Sequence, residues 1–425
     1  MDAIKSYNER QRLIAAVVCA IHCSSRSNKY TVHGRRGNRC NADYDRVVEK
    51  IIKMKHNTPN IFTRMYWLSP ASFDNVLALI EPKLLPQRKM AKYFVPPIIK
   101  LCLGLHVLAG GYYLDLSSSY DVPHSTVHFY AWQALHAIDQ STDPFLDNVK
   151  SPTMQTVEAL EKLEHGLAEL CNFQLCDTVA AGDGDMFWMQ MPTAEEVEGD
   201  VTSYFTHKGY YAFGLQAFCD SKCRFVMISS KLCSSTNDNT TYIVTQLSKD
   251  VKGRKLARQY HVVLDEAYPC TEQEMSPWKG WNLPVERDDF NYYLSLHWQV
   301  IERAFGLLVQ RWGMFWRPLR LSMLHRGVAV CVACQLHNIC IDDFGTRRIK
   351  PVGSGYIPGF EHETDHQRGD NHPGTLAWTD GTPIRAGYRS DLERCSHRLM
   401  WTGTIKEIGL TRPIFSKFSK NKYGN

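Results

Sequence analysis

TVAAGDGDMFWMQM (178–191) is an apolar strand interrupted by acids. Val179 to Ala181 lead into Gly182-Asp183-Gly184-Asp185, and Met186 to Met191 resume the apolar run. A carboxylate inside a strand is costly unless it has a partner. HVVL (261–264) is a second short apolar strand, and it ends directly on Asp265. A third acid, Glu302, lies on a long helical stretch from about Leu294 to Trp312, whose apolar stripe is Leu294, Trp298, Ile301, Phe305, Leu308 and Trp312. At 100° per residue Glu302 falls at the edge of that stripe, facing the boundary between the helix and whatever it packs on.

The strand rhythm extends outward from these segments. Tyr210 to Phe218 and Arg224 to Ser230 read as strands, Thr240 to about Ala257 as a helical crossover, and Gly327 to Ile341 as a closing helix. Adjacent strands, a crossover, a further strand and more helices indicate an α/β layer with a mixed sheet over residues 175–343.

Upstream, residues 61–150 have helical rhythm. Ser69-Pro70 has the form of an N-cap followed by proline at the first helical position, with Phe73, Val76, Leu77 and Ile80 at helical spacing behind it. A second helix follows Pro96-Pro97 and ends at Gly110-Gly111. Then come a short helix over 114–120, a break at Asp121-Val122-Pro123, and a longer helix from His124 to about Ile138. This is a helix-turn-helix pattern, although any small helical bundle contains such turns. A reader of DNA would present His124, Ser125, Thr126 and His128 at the start of its recognition helix.

Residues 1–60 carry 12 Lys/Arg against 5 Asp/Glu, in a chain whose net charge is only +5. Arg35, Arg36 and Arg39 sit there beside glycines, as contacts for a polyanion or as an ordinary solvated arm. Residues 346–425 are rich in Gly, Pro, His and charge and read as mostly irregular, with one short helix near 390–399.

Composition narrows the class. At 425 residues the chain has room for two or three domains, and 44% hydrophobic with 22% charged residues is an ordinary globular balance. The apolar run LIAAVVCAI (13–21) is too short to span a bilayer, and no longer candidate is evident, so no membrane role is expected. Fourteen cysteines scattered singly suggest reduced thiols and an intracellular protein. Cys331, Cys334, His337 and Cys340 recur every three residues. A helix spreads such steps around its cylinder, so they do not read as one zinc site.

Three acids on separate elements offer hard oxygen ligands suited to Mg²⁺ or Mn²⁺. Two such ions, about 3.5–4 Å apart, activate water and stabilise a leaving oxygen in phosphodiester chemistry. The bland alternatives are that Asp265 starts a turn and that Glu302 pairs with Arg303 or Arg311.

Particular blocks carry a family resemblance. AGDGDMFWMQMP (181–192), HKGYYAFGLQAFCD (207–220), CSSTNDNT (233–240), VVLDEAYP (262–269), FNYYLSLHWQVIERAFGLLVQRW (290–312) and ACQLHNICI (333–341) resemble the DDE endonuclease domain of PIF/Harbinger transposases. YWLSPASFDNVLALI (66–80) and the helix-turn-helix stretch resemble that family's N-terminal region. The resemblance implies an RNase H-like mixed sheet flanked by helices, preceded by an all-α region. Asp183, Asp265 and Glu302 fall on its catalytic, metal-binding acids. It further implies a transposase that cuts double-stranded DNA with two Mg²⁺ or Mn²⁺ ions and transfers strands, with a Myb-like partner protein; a DNA substrate points to the nucleus, and a homo-oligomer is compatible. The alternative is a domesticated descendant that binds DNA or a partner without cutting. The chain departs from the family at Gly184-Asp185-Met186, where Gly-Thr-His is usual, and at Leu264 and Ala267, where glycines are usual. His297-Trp298 stand near a customary arginine. On a strand, Asp185 shares a face with Asp183.

Overall fold

The structure, a computed structural model, describes residues 44–346 apart from 86–93, 150–155, 207, 230–241, most of 244–258, 269 and 281–282. Arg35, Arg36 and Arg39, most of the expected crossover and the tail beyond Thr346 lie outside the described residues.

Among the described residues the first helices are α1 (Tyr44–Asn57), inside the basic N-terminal stretch, and α2 (Pro59–Tyr66). α3 (Pro70–Leu84) starts where Ser69-Pro70 places it, with Ser69 Oγ accepting from Ser72 N at 3.1 Å. The same N-terminus meets the carboxylate of Asp343, which accepts from Ser69 N (3.0 Å) and Ser72 Oγ (2.7 Å). A negative charge there satisfies orphan donors and complements the helix dipole. α4 (Pro97–Leu108) is apolar almost all round and runs through the middle of the helical part. α5 (Tyr113–Tyr120), a left-handed Asp121 (φ 54°) and α6 (His124–Asp139) form the expected short helix, turn and longer helix.

Among the described residues the sheet has five strands: β1 (Thr178–Trp188), β2 (Ala212–Cys219), β3 (Phe225–Ser229), β4 (His261–Val263) and β5 (Glu274–Met275). Their order is β3-β2-β1-β4-β5, with β1, β2 and β3 antiparallel in turn and β4 and β5 parallel to β1. The architecture is therefore mixed α/β, with β1 central. Alternation along the strands separates two faces. Ala181, Phe187, Leu215, Ala217 and Val263 join the main core, together with α8 (Val285–Arg311) and α9 (Met323–Phe344). Phe218, Val262, Leu264 and Tyr268 form a smaller core on the other side, covered by Leu160 of α7 (Val157–Leu170). The main core is continuous with the helical part, since Phe73, Leu101 and Leu135 belong to the same cluster as Ile301 and Leu336.

Several boundaries differ from expectation. α8 begins at Val285, well ahead of Leu294, because Glu286 and Asp288 occupy its first turn after Pro284 and disguise that turn as a loop. α9 extends past 327–341 at both ends, starting at the Ser322 cap. α9 is also long and apolar enough to cross a bilayer by length and composition, contrary to expectation. Its apolar window is 78% buried within the protein, as in a central core helix.

Candidate active site

The strand register brings the two aspartates level. Ala181 of β1 pairs with Val263 of β4, and two residues further along each chain come Asp183 and Asp265. Neighbouring strands lie about 4.8 Å apart. Because Ala181 and Val263 face the main core, alternation turns both acids towards α8. Between Ala181 and Asp183 and on the other face, a Cβ at Gly182 would stand 2.1 Å from the ring of Phe218, so glycine is what fits beside Asp183.

Asp265 lies two residues past β4 and starts a turn: its carbonyl accepts from Tyr268 N at 3.1 Å, and its Oδ1 accepts from Glu266 N. The Tyr268 hydroxyl donates to Gln216 Oε1 on β2 (3.1 Å), fixing the turn to the sheet. Burial raises the Asp265 carboxyl above its ordinary range. The Glu266 N–H, the Lys279 charge and the Ala267 N–H oppose that shift. Glu302 is pushed up to about 8, by burial first and by the charge of Asp265 second. Its Oε1 is sealed from solvent and has no hydrogen-bond partner. No ion pair joins it to Arg303 or Arg311 among the described residues; Arg311 instead bonds His337 Nδ1 (3.1 Å) and the Gly345 carbonyl (3.2 Å).

A buried clasp, not anticipated from the sequence, ties together the three elements that carry the acids. Thr178 Oγ1 lies 2.8 Å from His261 Nε2 and 3.2 Å from His297 Nδ1. All three side chains are at most 1% exposed. Thr178 stands five residues before Asp183 on β1, His261 four before Asp265, and His297 five before Glu302 on α8. Burial holds His297 neutral by lowering it to about 4, which suits a hydrogen-bonding role. His297 looked in the sequence like a departure near Glu302; in the fold it is one arm of this clasp.

The donor set fits a hard divalent cation: carboxylate oxygens, one of them buried and unpartnered, in a pair whose like charges repel. Asp265 and Glu302 are brought together, whereas Asp183 does not complete a ligand group with them. Among the described residues, no three His, Cys, Asp or Glu side chains converge closely enough to hold an ion. Asp185 shares the strand face of Asp183 and lies near Cys334 of α9, raising that thiol further after burial. Lys279 was also missed. Its loop is clamped by Asn291, which accepts from Trp278 N (2.8 Å) and donates to Trp278 O (3.0 Å), while Arg287 stacks 4.2 Å over the Trp278 ring.

The cysteines and histidine of α9 have packing roles. His337 Nε2 donates to the Cys223 carbonyl (2.8 Å) and Cys340 Sγ donates to the Trp67 carbonyl (2.9 Å). Asn338, fully buried, receives Phe225 N (2.8 Å) and donates to Phe225 O (2.7 Å), pinning α9 to β3.

Of the residues expected to open a recognition helix, His124, Ser125 and His128 are exposed, and the Thr126 hydroxyl donates to the Pro123 carbonyl (2.8 Å) as part of the helix start. His128 packs against Tyr113, Trp132 and His325, at the joint between α6 and α9.

Residues 183–338 match the model of the family described as DDE superfamily endonuclease. The matched stretch opens on Asp183, takes in Asp265 and Glu302, and closes on Asn338. The match covers a little over a third of the chain and likens this stretch to DDE superfamily endonucleases. No curated protein and no solved structure matches the chain.

Proposed function

We propose that the chain is a metal-dependent DNA endonuclease of the transposase type, with Asp183, Asp265 and Glu302 as its working acids. The observation that carries this reading is the Asp265–Glu302 pair, with one sealed oxygen that only a proton or a cation relieves. The superfamily match over all three acids supplies the reaction class. The strand order, with the first acid on the central strand and the second just past its parallel neighbour, supports an RNase H-like sheet.

Mg²⁺ or Mn²⁺ held by Asp183, Asp265 and Glu302 would activate the attacking water and stabilise the leaving 3′-oxygen. The chain's own residues prepare that site. The Thr178–His261–His297 clasp sets the spacing of β1, β4 and α8. Glu302 must give up its proton to ligate, and Lys279 tempers the negative charge around Asp265. The α5–turn–α6 unit, with His124, Ser125 and Thr126 at its second helix, and the arm bearing Arg35, Arg36 and Arg39 would hold duplex DNA through phosphates. The PIF/Harbinger resemblance extends the reading to strand transfer, a Myb-like partner and a nuclear site of action.

Asp183→Asn, Asp265→Asn and Glu302→Gln should each abolish Mg²⁺-dependent nicking of a supercoiled plasmid. Retained nicking in all three would sink the assignment. A second reading, a descendant that binds DNA without cutting, draws on the failure of the three acids to converge. It predicts salt-dependent DNA affinity and no response to Mg²⁺.

A further inference from the structure

Beside Glu302 lies an open cleft of about 750 Å³, lined by Gln299, Glu302, Arg303, Gly306, Gln310 and Thr346 among others. Gln299, Arg303, Gly306 and Gln310 recur at steps of four, three and four on α8, so they form one polar stripe along the helix. Eleven steps of 1.5 Å from Gln299 to Gln310 give a stripe of about 16 Å.

Gly306 is the anomaly in that stripe. It sits within a 27-residue helix, five residues before its end at Arg311, where glycine is the poorest choice after proline. No packing requires it, because a Cβ at Gly306 would meet nothing within 4 Å. A helix that tolerates a glycine over open space leaves room for something to approach its backbone closely. Arg303 stands one turn before the gap and is exposed; Gln310 stands one turn after it. The charge of Arg303 also reaches Cys219 and Cys223 at the β2–β3 turn, where Lys222 is exposed. The cleft thus pairs a cation and amide donors with a bare stretch of helix, and it opens directly onto a candidate catalytic acid.

We infer that this cleft is a track for one strand of a DNA duplex, whose sugar-phosphate backbone passes over Gly306 between Arg303 and Gln310 and leads a phosphate to Glu302. The inference rests on the endonuclease reading and adds to it the surface that seats the strand. At 3.4 Å of duplex axis per nucleotide, the stripe spans about five nucleotides.

The test is fluorescence anisotropy of a labelled mixed-sequence duplex with the full chain in EDTA, over a salt series, beside circular dichroism and thermal melting. Gly306→Ala should raise the melting temperature, because the helix gains and nothing clashes. Gly306→Leu should keep wild-type helicity and weaken duplex binding by roughly tenfold, since its side chain fills the gap. Arg303→Ala should weaken binding on a similar scale, and the slope of log affinity against log salt should fall by about one. Folded Gly306→Leu and Arg303→Ala proteins with wild-type affinity and salt slope would overturn the track. Absence of any duplex binding by the wild type would overturn it as well. Neither result touches the acid site, which is tested separately by thermal stabilisation with Mg²⁺ or Mn²⁺ and no DNA.

Discussion

Asp265, two residues past β4, acts on Glu302 of α8 as a like charge. Together with burial, the larger cause, it pushes the Glu302 carboxyl from 4.5 to about 8. A raised folded-state value means the protonated form stabilises the fold. That contribution is full below about pH 4.5 and fades as pH rises through about 8. Glu302 should therefore contribute a fall in the melting temperature of the metal-free protein as pH rises across this window. Glu302→Gln should remove most of that slope. Identical melting curves for both proteins across the window would contradict the pairing.

Gly182 should tolerate no side chain. Its Cβ would meet the Phe218 ring at 2.1 Å, so Gly182→Ala should cost about 1–3 kcal/mol, as overpacked cores do. Urea unfolding reads the loss, and metal-dependent stabilisation should weaken with it because Asp183 is displaced. An alanine variant as stable as the wild type would mean that Phe218 moves aside freely.

The clasp predicts a separation of effects. Thr178→Val keeps the shape but leaves His261 and His297 without their shared partner, at a cost of about 1–3 kcal/mol. A purely structural role ends there. A positioning role also raises the Mg²⁺ concentration needed for half-maximal thermal stabilisation, and Thr178→Ser should restore it. An unchanged Mg²⁺ midpoint in a folded Thr178→Val protein would confine the clasp to stability.

His325 links the helical part to α9. Its ring stacks on Trp132 with centroids 4.2 Å apart and lies 5.5 Å from both His128 and His136, with Ser322 Oγ at 3.0 Å from its Nδ1. Burial, then His136 and His128, lower it to about 4. His128 and His136 are also lowered by burial, the latter opposed by Asp139. Depressed histidines favour the fold while neutral, so this contribution is present above about pH 6.5 and lost as pH falls towards 4. His325→Phe keeps the stack on Trp132 and should flatten the acid limb of the stability profile. A variant with the same acid sensitivity as the wild type would show that the three histidines do not set it.

Residues whose pattern is local were legible in the sequence. Ser69-Pro70 announced α3, and HVVL announced β4, because capping and apolar runs are written in adjacent residues. Asp183 and Asp265 stood out as acids within or directly after strands. The clasp was invisible, since Thr178, His261 and His297 meet only when the sheet and α8 assemble. β5 is only two residues long and carries no periodicity of its own. α7 could have been found: Thr156 accepts from Ala159 N at 3.2 Å, and Leu160, Leu163 and Leu167 follow at helical spacing. Lys279 gave no signal, because a single exposed lysine in a loop gains meaning only from the acid it stands beside.

The most direct measurement is a Mg²⁺ and Mn²⁺ titration of the purified protein, with DNA nicking and melting temperature read in parallel for the wild type and Asp265→Asn. A working acid site predicts that metal raises the wild-type melting temperature and switches on nicking, and that Asp265→Asn loses both. A wild type that neither nicks nor gains stability with either metal, or an Asp265→Asn variant that behaves like it in both readouts, would contradict the assignment.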